Sequence, residues 1–375
     1  MKFSTALPEF QKLLQTAIQA VPPKSTLPVL ENFSFSLAGT TLHTIATDQE
    51  LTVIATLDVD GHEDGQILAP ARKLLDIVKA LGSTGRITLT AEPKTCKITL
   101  KTDYGEYVMN GLKAEEFPPV PDFANGITIN LTADESMKIA RTAVFAASKD
   151  EYRPAMTGLL LQCDQNRLNA VTTDGFRLVR VTVKSNGAGV IASEKTDVII
   201  PVRTIDLLKK VDGDVHVLVS PTHAKFTLPQ ATIITRVIDE RFPPYESVIP
   251  QDNDKIVRVA LSDIAAAVKR VSLFANSNTK QIRLKFRTNN LTVFAEDMET
   301  GGKAQEDVVC DYAGEAFEIG FNHRFIEEAI GHLGDSGADT AAFTFSSPNR
   351  AALLKPIRNE EEQEDVLMLV MPVRL

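Results

Sequence analysis

Asp174 and Arg177 are the residues of this 375-residue chain best placed for chemistry on a small molecule: a carboxylate and a guanidinium three positions apart in Thr173-Asp174-Gly175-Phe176-Arg177. Near a cleft they would suit a small-molecule enzyme built on a repeated α+β scaffold. Asp48 and Asp297 stand at matching places elsewhere in the chain. An aspartate repeated at strand ends forms turns, because its carboxylate bonds the backbone two residues on. The other chemistry-bearing residues do not assemble. His43, His62, His216, His223, His323 and His332 are scattered without metal-ligand spacing. Cys96, Cys163 and Cys310 are odd in number and far apart, so reduced and mostly buried thiols are expected. The acidic run Glu360-Glu361-Glu362 with Glu364 and Asp365 lacks the glycine of a calcium loop and reads as a solvated loop. Phosphate loops, dinucleotide fingerprints and zinc or serine-hydrolase motifs are missing from the sequence. No catalytic residue, metal or cofactor is expected.

The elements that would position any site come in threes. Leu27-Pro28-Val29-Leu30 followed by Thr47-Asp48-Gln49-Glu50-Leu51 recurs as Arg153-Pro154-Ala155-Met156 followed by Thr173 to Arg177, both displaced by 126 positions. A weaker third copy runs from Ile282-Arg283-Leu284 to Ala295-Glu296-Asp297. Apolar residues at helical spacing recur in Leu7 to Ala20, Ala133 to Ala147 and Leu261 to Ala275. An apolar strand breaking into an amphipathic helix recurs at Ile67 to Val78, Ile199 to Leu208 and Ile319 to Ile330. Alternating strands fill the remainder. Pro-rich stretches at Phe117 to Pro121 and Phe242 to Tyr245 read as linkers. The expected architecture is three α+β domains, 1–125, 126–252 and 253–375, each with two helices.

Net charge is −9, which argues against binding nucleic acid or an anionic membrane by overall charge. Its distribution changes that reading. The six helical segments carry twelve Lys or Arg against eight Asp or Glu, a balance of +4, leaving −13 on the rest. The N-terminus has no secretory h-region, and no stretch approaches the roughly 18 apolar residues of a membrane span. A cytoplasmic protein is expected.

The short stretches Met1-Lys2-Phe3, Leu27 to Leu30, Arg153-Pro154, Thr173 to Leu178, Phe242-Pro243-Pro244-Tyr245, Phe321-Asn322 and Val370 to Leu375 stand in an order that resembles the bacterial sliding-clamp family, the beta subunits of DNA polymerase III. The resemblance spans the chain. It implies a head-to-tail homodimer whose six clamp domains close into a ring around duplex DNA. Twelve helices, each about 10 Å wide, would leave an opening of roughly 28 Å. DNA would be held by closure and loose phosphate contacts without base readout. Partners implied are the polymerase III alpha subunit, the clamp loader, and other polymerases and repair proteins that bind through short linear motifs.

The same resemblance implies residue roles. Lys24 and Lys149 would face DNA, Asp150 and Glu151 leaving Lys149 as the one phosphate partner in its loop; helix pattern and charge add Arg72, Lys73 and Arg203 as expected lining residues. A hydrophobic pocket for linear motifs would comprise Arg153, Met156, Thr173, Gly175, Phe176, Arg177, Leu178, Pro243, Val248, Asn322, Phe325, Val370, Met371, Pro372, Val373, Arg374 and Leu375. Three departures from the family pattern are Phe176 in place of His, Val373 in place of a second Met, and Pro244 in place of Asp, which make the pocket more apolar. Tyr107 would meet Leu273 and Phe274 across the dimer contact.

Overall fold

The computed structural model describes residues 1–185, 191–359, 361–362 and 365–375, without the side chains of Glu361 and Glu362. Among the described residues six α-helices form: α1 (Leu7–Ala17), α2 (Ala71–Ala80), α3 (Ala133–Thr142), α4 (Val202–Leu208), α5 (Leu261–Val271) and α6 (His323–Asp335). Each follows a strand, as the repeat predicts. α1 buries Leu7, Phe10, Leu13, Leu14 and Ala17, and α5 buries Leu261, Ile264, Ala267, Val268 and Val271. The same three- and four-residue spacing puts one apolar stripe of each helix against a sheet.

The backbone divides into two compact units, Met1–Ala133 with Leu207–Val237, and Asp134–Asp206 with Ile238–Leu375. The middle repeat is therefore shared between the two units. Sheet pairing is the physical reason. In the first unit an eight-stranded antiparallel sheet joins Leu51–Asp58 of the first repeat to Ala231–Arg236 of the second, with Ala231 opposite Ala55 and Thr235 opposite Leu51. In the second unit a sheet joins Arg177–Lys184 of the second repeat to Val366–Val370 of the third, with Arg177 opposite Val370. Each repeat thus contributes two half-sheets, and the first half-sheet of one repeat pairs with the second half-sheet of the next.

Two strands that this rule would pair have no such neighbour among the described residues of the chain. Gly105–Asn110 ends the five-stranded sheet of the first unit, and Gly302–Val309 ends the four-stranded sheet of the second. Both edges are apolar in part: Val108 is half exposed and Val309 is 81% exposed. Unpaired edges of this kind are templates for another chain.

Two sequence expectations change. α4 ends at Leu208, leaving Lys209 and Lys210 in a turn, while α6 continues to Asp335. The six helices then carry ten bases and nine acids, a balance of +1 in place of +4. Some of those bases are also engaged: Lys138 pairs with Asp365 and Arg270 with Glu306. The acidic run is the second case. Glu360, Glu364 and the side chains of Glu361 and Glu362 lie outside the described residues, but Asp365 is no solvated loop acid. Its Oδ2 takes Lys138 and Arg358 (2.8 Å) together, and its carbonyl accepts from the Thr182 amide (2.7 Å).

Burial raises the Asp365 carboxyl, and the hydrogen bonds from Lys138 and Arg358 outweigh it, so the group sits below its usual value of 3.8. A depressed carboxylate stabilises the fold above its unfolded value and loses that contribution as pH falls through the folded one. Asp365→Asn should therefore cost about 2 kcal/mol at pH 7, from two cations left without their anion. In thermal melts the gap between wild type and variant should close as pH falls below 3.8; a gap independent of pH would contradict the assignment.

All three cysteines are free. Cys163 and Cys310 are buried as expected, and desolvation pushes the Cys163 thiol up to about 12. Cys96 is half-buried.

Candidate functional site

The apolar tail builds the most distinctive surface of the second unit. Val366–Val370 is a strand buried at every position, bonded to Arg177–Lys184 on one side and Ala352–Arg358 on the other. Beyond Val370 the chain leaves the sheet but stays attached. The Met371 amide donates to the Phe176 carbonyl (2.8 Å), the Val373 amide to the Gly320 carbonyl (2.9 Å), and Gln281 Nε2 to the Arg374 carbonyl (3.3 Å). Gly320 makes this path possible: a Cβ there would stand 2.7 Å from Leu375 Cδ2 and 3.0 Å from the Val373 carbonyl oxygen. A glycine inside a strand marks such close approach.

Opposite the tail stands the turn Thr173–Arg177. The Thr173 hydroxyl donates to the Arg177 carbonyl (2.7 Å), and Asp174 Oδ1 accepts from the amides of Phe176 (2.9 Å) and Arg177 (3.0 Å). Gly175 has φ +92°, a conformation that favours glycine. A Cβ on it would lie 3.3 Å from Arg153 Nη1 and 3.6 Å from Met156 Cε, so Gly175 brings these two residues to the turn. Arg153 donates to the Asp174 carbonyl (3.3 Å) and to Asp150 Oδ2 (2.8 Å), and that hydrogen bond holds the Asp150 carboxyl below its usual value.

Beneath, Leu178 belongs to a buried cluster with Val171, Tyr245, Ile249, Leu367 and Leu369. Phe242 packs on this floor, which places the neighbouring half-buried Pro243 beside it. The rim is apolar and exposed: Phe176 59%, Val248 55%, Met371 38% and Leu375 52%. Pro372 and Val373 are half-buried, Arg374 is exposed, and buried Val370 anchors the strand. Asn322 caps α6 by accepting from the Arg324 amide (3.1 Å), which fixes the start of the helix that carries Phe325. Phe325 stacks with Phe176, centroids 6.4 Å apart. An exposed apolar rim over a preformed floor suits a short hydrophobic peptide segment.

Arg177 is the exception among the expected pocket residues. Its side chain is 12% exposed, and its guanidinium is taken by Asp174 (3.0 Å), Glu328 and the Phe145 carbonyl (2.9 Å). Asp174 and Arg177 are therefore occupied with each other and with the turn, which removes the basis of the small-molecule enzyme reading. Among the described residues no His, Cys, Asp and Glu group is arranged to hold a metal ion. Phe145, His332, Glu328 and Gly320 escaped the sequence reading. Only Gly320 carried a local signal, as a glycine within the strand Phe317–Asn322.

The expected DNA-facing bases are exposed. In the first unit Lys24 lies on the loop before Pro28–Glu31, and Arg72 Nη2 donates to the Val21 carbonyl (3.5 Å), drawing the start of α2, with exposed Lys73, to that loop. In the second unit Lys149 and Arg203 are exposed, and Asp150, neighbour of Lys149, is occupied by Arg153. Of the expected dimer contacts, half-buried Tyr107 lies on the edge strand Gly105–Asn110. Leu273 (81% exposed) and Phe274 (45%) follow α5. Phe274 Cδ1 would be 3.5 Å from a Cβ on Gly302, the first residue of the other free edge.

A helix-and-sheet unit used three times, with two unpaired sheet edges, exposed bases and an exposed apolar rim over a buried floor, fits the DNA-clamp class of binding protein. Family models of the DNA polymerase III beta subunit match along the chain: the N-terminal domain at 1–121, the central domain at 130–244 and the C-terminal domain at 246–374. The beta sliding clamps of Pseudomonas putida and Caulobacter vibrioides are each 29% identical, over all of both chains. The crystal structure of the Pseudomonas aeruginosa sliding clamp, DNA polymerase III subunit beta bound to griselimycin, superposes with a TM-score of 0.91 at 28% identity, covering all of both chains. The chain belongs to the DNA polymerase III beta-subunit family of sliding clamps. No helix among the described residues is long and apolar enough to cross a membrane.

Proposed function

We propose that two copies of this chain close head to tail into a ring around duplex DNA, and that the ring tethers a replicative polymerase and other replication and repair proteins without a catalytic step of its own. The observation that carries this reading is the pairing rule of the half-sheets. Within the chain, the first half-sheet of the first repeat joins the second half-sheet of the second, and the first half-sheet of the second joins the second half-sheet of the third. Gly105–Asn110 and Gly302–Val309 are the two edges left over. Applying the same pairing between copies joins them reciprocally, so the contact closes without forming a filament. Tyr107 then meets Leu273 and Phe274. The sequence thirds 1–125, 126–252 and 253–375 serve as the repeating clamp domains.

Lys24, Arg72, Lys73, Lys149 and Arg203 supply sequence-independent phosphate contacts. Retention comes from topology, because the helices carry too little net charge to hold DNA by attraction. The groove between the turn Thr173–Leu178 and the tail Val370–Leu375 takes the apolar motifs of the polymerase alpha subunit, the clamp loader and other partners. Griselimycin, bound by the Pseudomonas aeruginosa relative, is a ready probe of that groove.

Retention on DNA tests the function. Once loaded on closed circular duplex DNA, the protein should remain through gel filtration in high salt, and it should leave within one pass when the circle is linearised. Equal loss from both forms would sink the topological mechanism.

A further inference from the structure

Five planar groups form one continuous column in the second unit. His332 stacks on Phe145 with centroids 4.1 Å apart and planes 14° from parallel. The Arg177 guanidinium carbon lies 5.1 Å from the Phe145 centroid and 4.9 Å from that of Phe325. Phe325 stacks in turn with Phe176 at 6.4 Å and 25°. The two ends differ in their surroundings. His332 Nδ1 is held by the Asp335 carboxylate (3.0 Å) on the last turn of α6, whereas Phe176 stands exposed at the rim of the groove.

The centre of the column has little freedom. Arg177 is neutralised by Asp174 and Glu328, donates to the Phe145 carbonyl and has an aromatic ring near it on each side. Cations over ring faces gain strength as water is excluded, and this guanidinium is largely buried. Phe325 and His332 are seven residues apart on α6, two turns along one face, so the helix offers both rings to the column together. Among the described residues Phe176 has no other ring neighbour to fix it. Its position at the rim therefore depends on Phe325, that of Phe325 on Arg177, and that of Arg177 on Phe145 and His332.

We infer that Phe145 and His332 are positioning residues for the groove: through Arg177 and Phe325 they hold the Phe176 ring as a fixed wall and so set affinity for apolar peptides. This rests on the groove being the partner site, and the test separates the two ideas. The chain has no Trp, so Phe176→Trp supplies a single fluorescent reporter at the rim. In that background Phe145→Leu and His332→Ala should each lower the tryptophan anisotropy of the ligand-free protein, whereas His332→Phe, which keeps a planar ring, should preserve it. With Phe176 restored, Phe145→Leu should weaken griselimycin binding about tenfold, and His332→Ala less, with His332→Phe near wild type.

A role in folding alone would not be rescued by a ring at position 332. Unchanged anisotropy in His332→Ala, or a drop as large in His332→Phe, overturns the column, and the quarter-exposed site of His332 keeps that arm readable even where Phe145→Leu fails to fold. Wild-type protein that does not bind griselimycin, with anisotropy still responding as described, refutes the groove assignment and supports the column.

Discussion

Deleting Met371–Leu375 is expected to weaken griselimycin binding at least about a hundredfold while leaving the dimer and the melting temperature nearly unchanged. The asymmetry follows from where the fold ends and the site begins. Val366–Val370 is the buried strand that the sheet needs, and it survives the deletion. The lost residues hold the protein through surface hydrogen bonds at Phe176, Gly320 and Gln281, each worth about 1 kcal/mol. They also supply one side of the groove, including the exposed parts of Met371 and Leu375. Methionine adapts its shape to different ligands, which suits a wall proposed to accept several partners.

Gly320→Val checks the same wall without removing it. Its branched side chain would need the space of Leu375 Cδ2 and of the Val373 carbonyl. The tail should be displaced and binding reduced about tenfold. Calorimetric titration distinguishes the outcomes: wild-type affinity in both variants would remove the tail from the binding site.

The second large effect concerns closure. Leu273→Asp combined with Phe274→Asp is expected to convert a dimer of twice 41.0 kDa into a monomer of 41.0 kDa in sedimentation experiments, and to abolish retention on circular DNA. Both side chains are exposed in the single chain, so the substitutions cost the isolated fold little. In a dimer they would be covered, and burying two unpaired carboxylates costs several kcal/mol for each interface. Because a ring built from two copies has two such contacts, the penalty counts twice. A stable dimer in the double variant would refute the assigned edge. Salt should weaken any residual DNA binding by the monomer steeply, since only phosphate contacts would remain.

Much of the fold could be read locally. The 126-residue displacement located six helices, because apolar residues at three- and four-residue spacing have one stable solution against a sheet. The turn at Asp174 was legible for the same reason: its carboxylate bonds the backbone two and three residues on. Charge was less legible. Counting bases on helices gave +4, but a helix end that moves by two residues drops Lys209 and Lys210, and a helix that runs to Asp335 adds an acid. Whether a base is available depends on distant partners, as Lys138 with Asp365 shows across 227 positions.

The groove shows the same division. The apolar ending Val370 to Leu375, the Met156 and Gly175 positions and the departure to Phe176 are all plain in the sequence. The surroundings of Arg177 were not, since its partners Phe145, Phe325 and Glu328 share no local pattern with it. Val373 and Phe176, two departures from the family pattern, take defined places in the fold: one bonds Gly320, the other joins the column. Pro244 is exposed beside the buried cluster.

The sequence by itself determined the repeat, the helices, the turns and the family. Those follow from spacing and side-chain chemistry acting over a few residues. The tertiary structure alone decided that neighbouring repeats share sheets, that Gly105–Asn110 and Gly302–Val309 each end a sheet, and that the Arg177 guanidinium is taken by Asp174, Glu328 and the Phe145 carbonyl. Each of these depends on which distant strand or ring a group meets, and short-range periodicity carries no record of that choice.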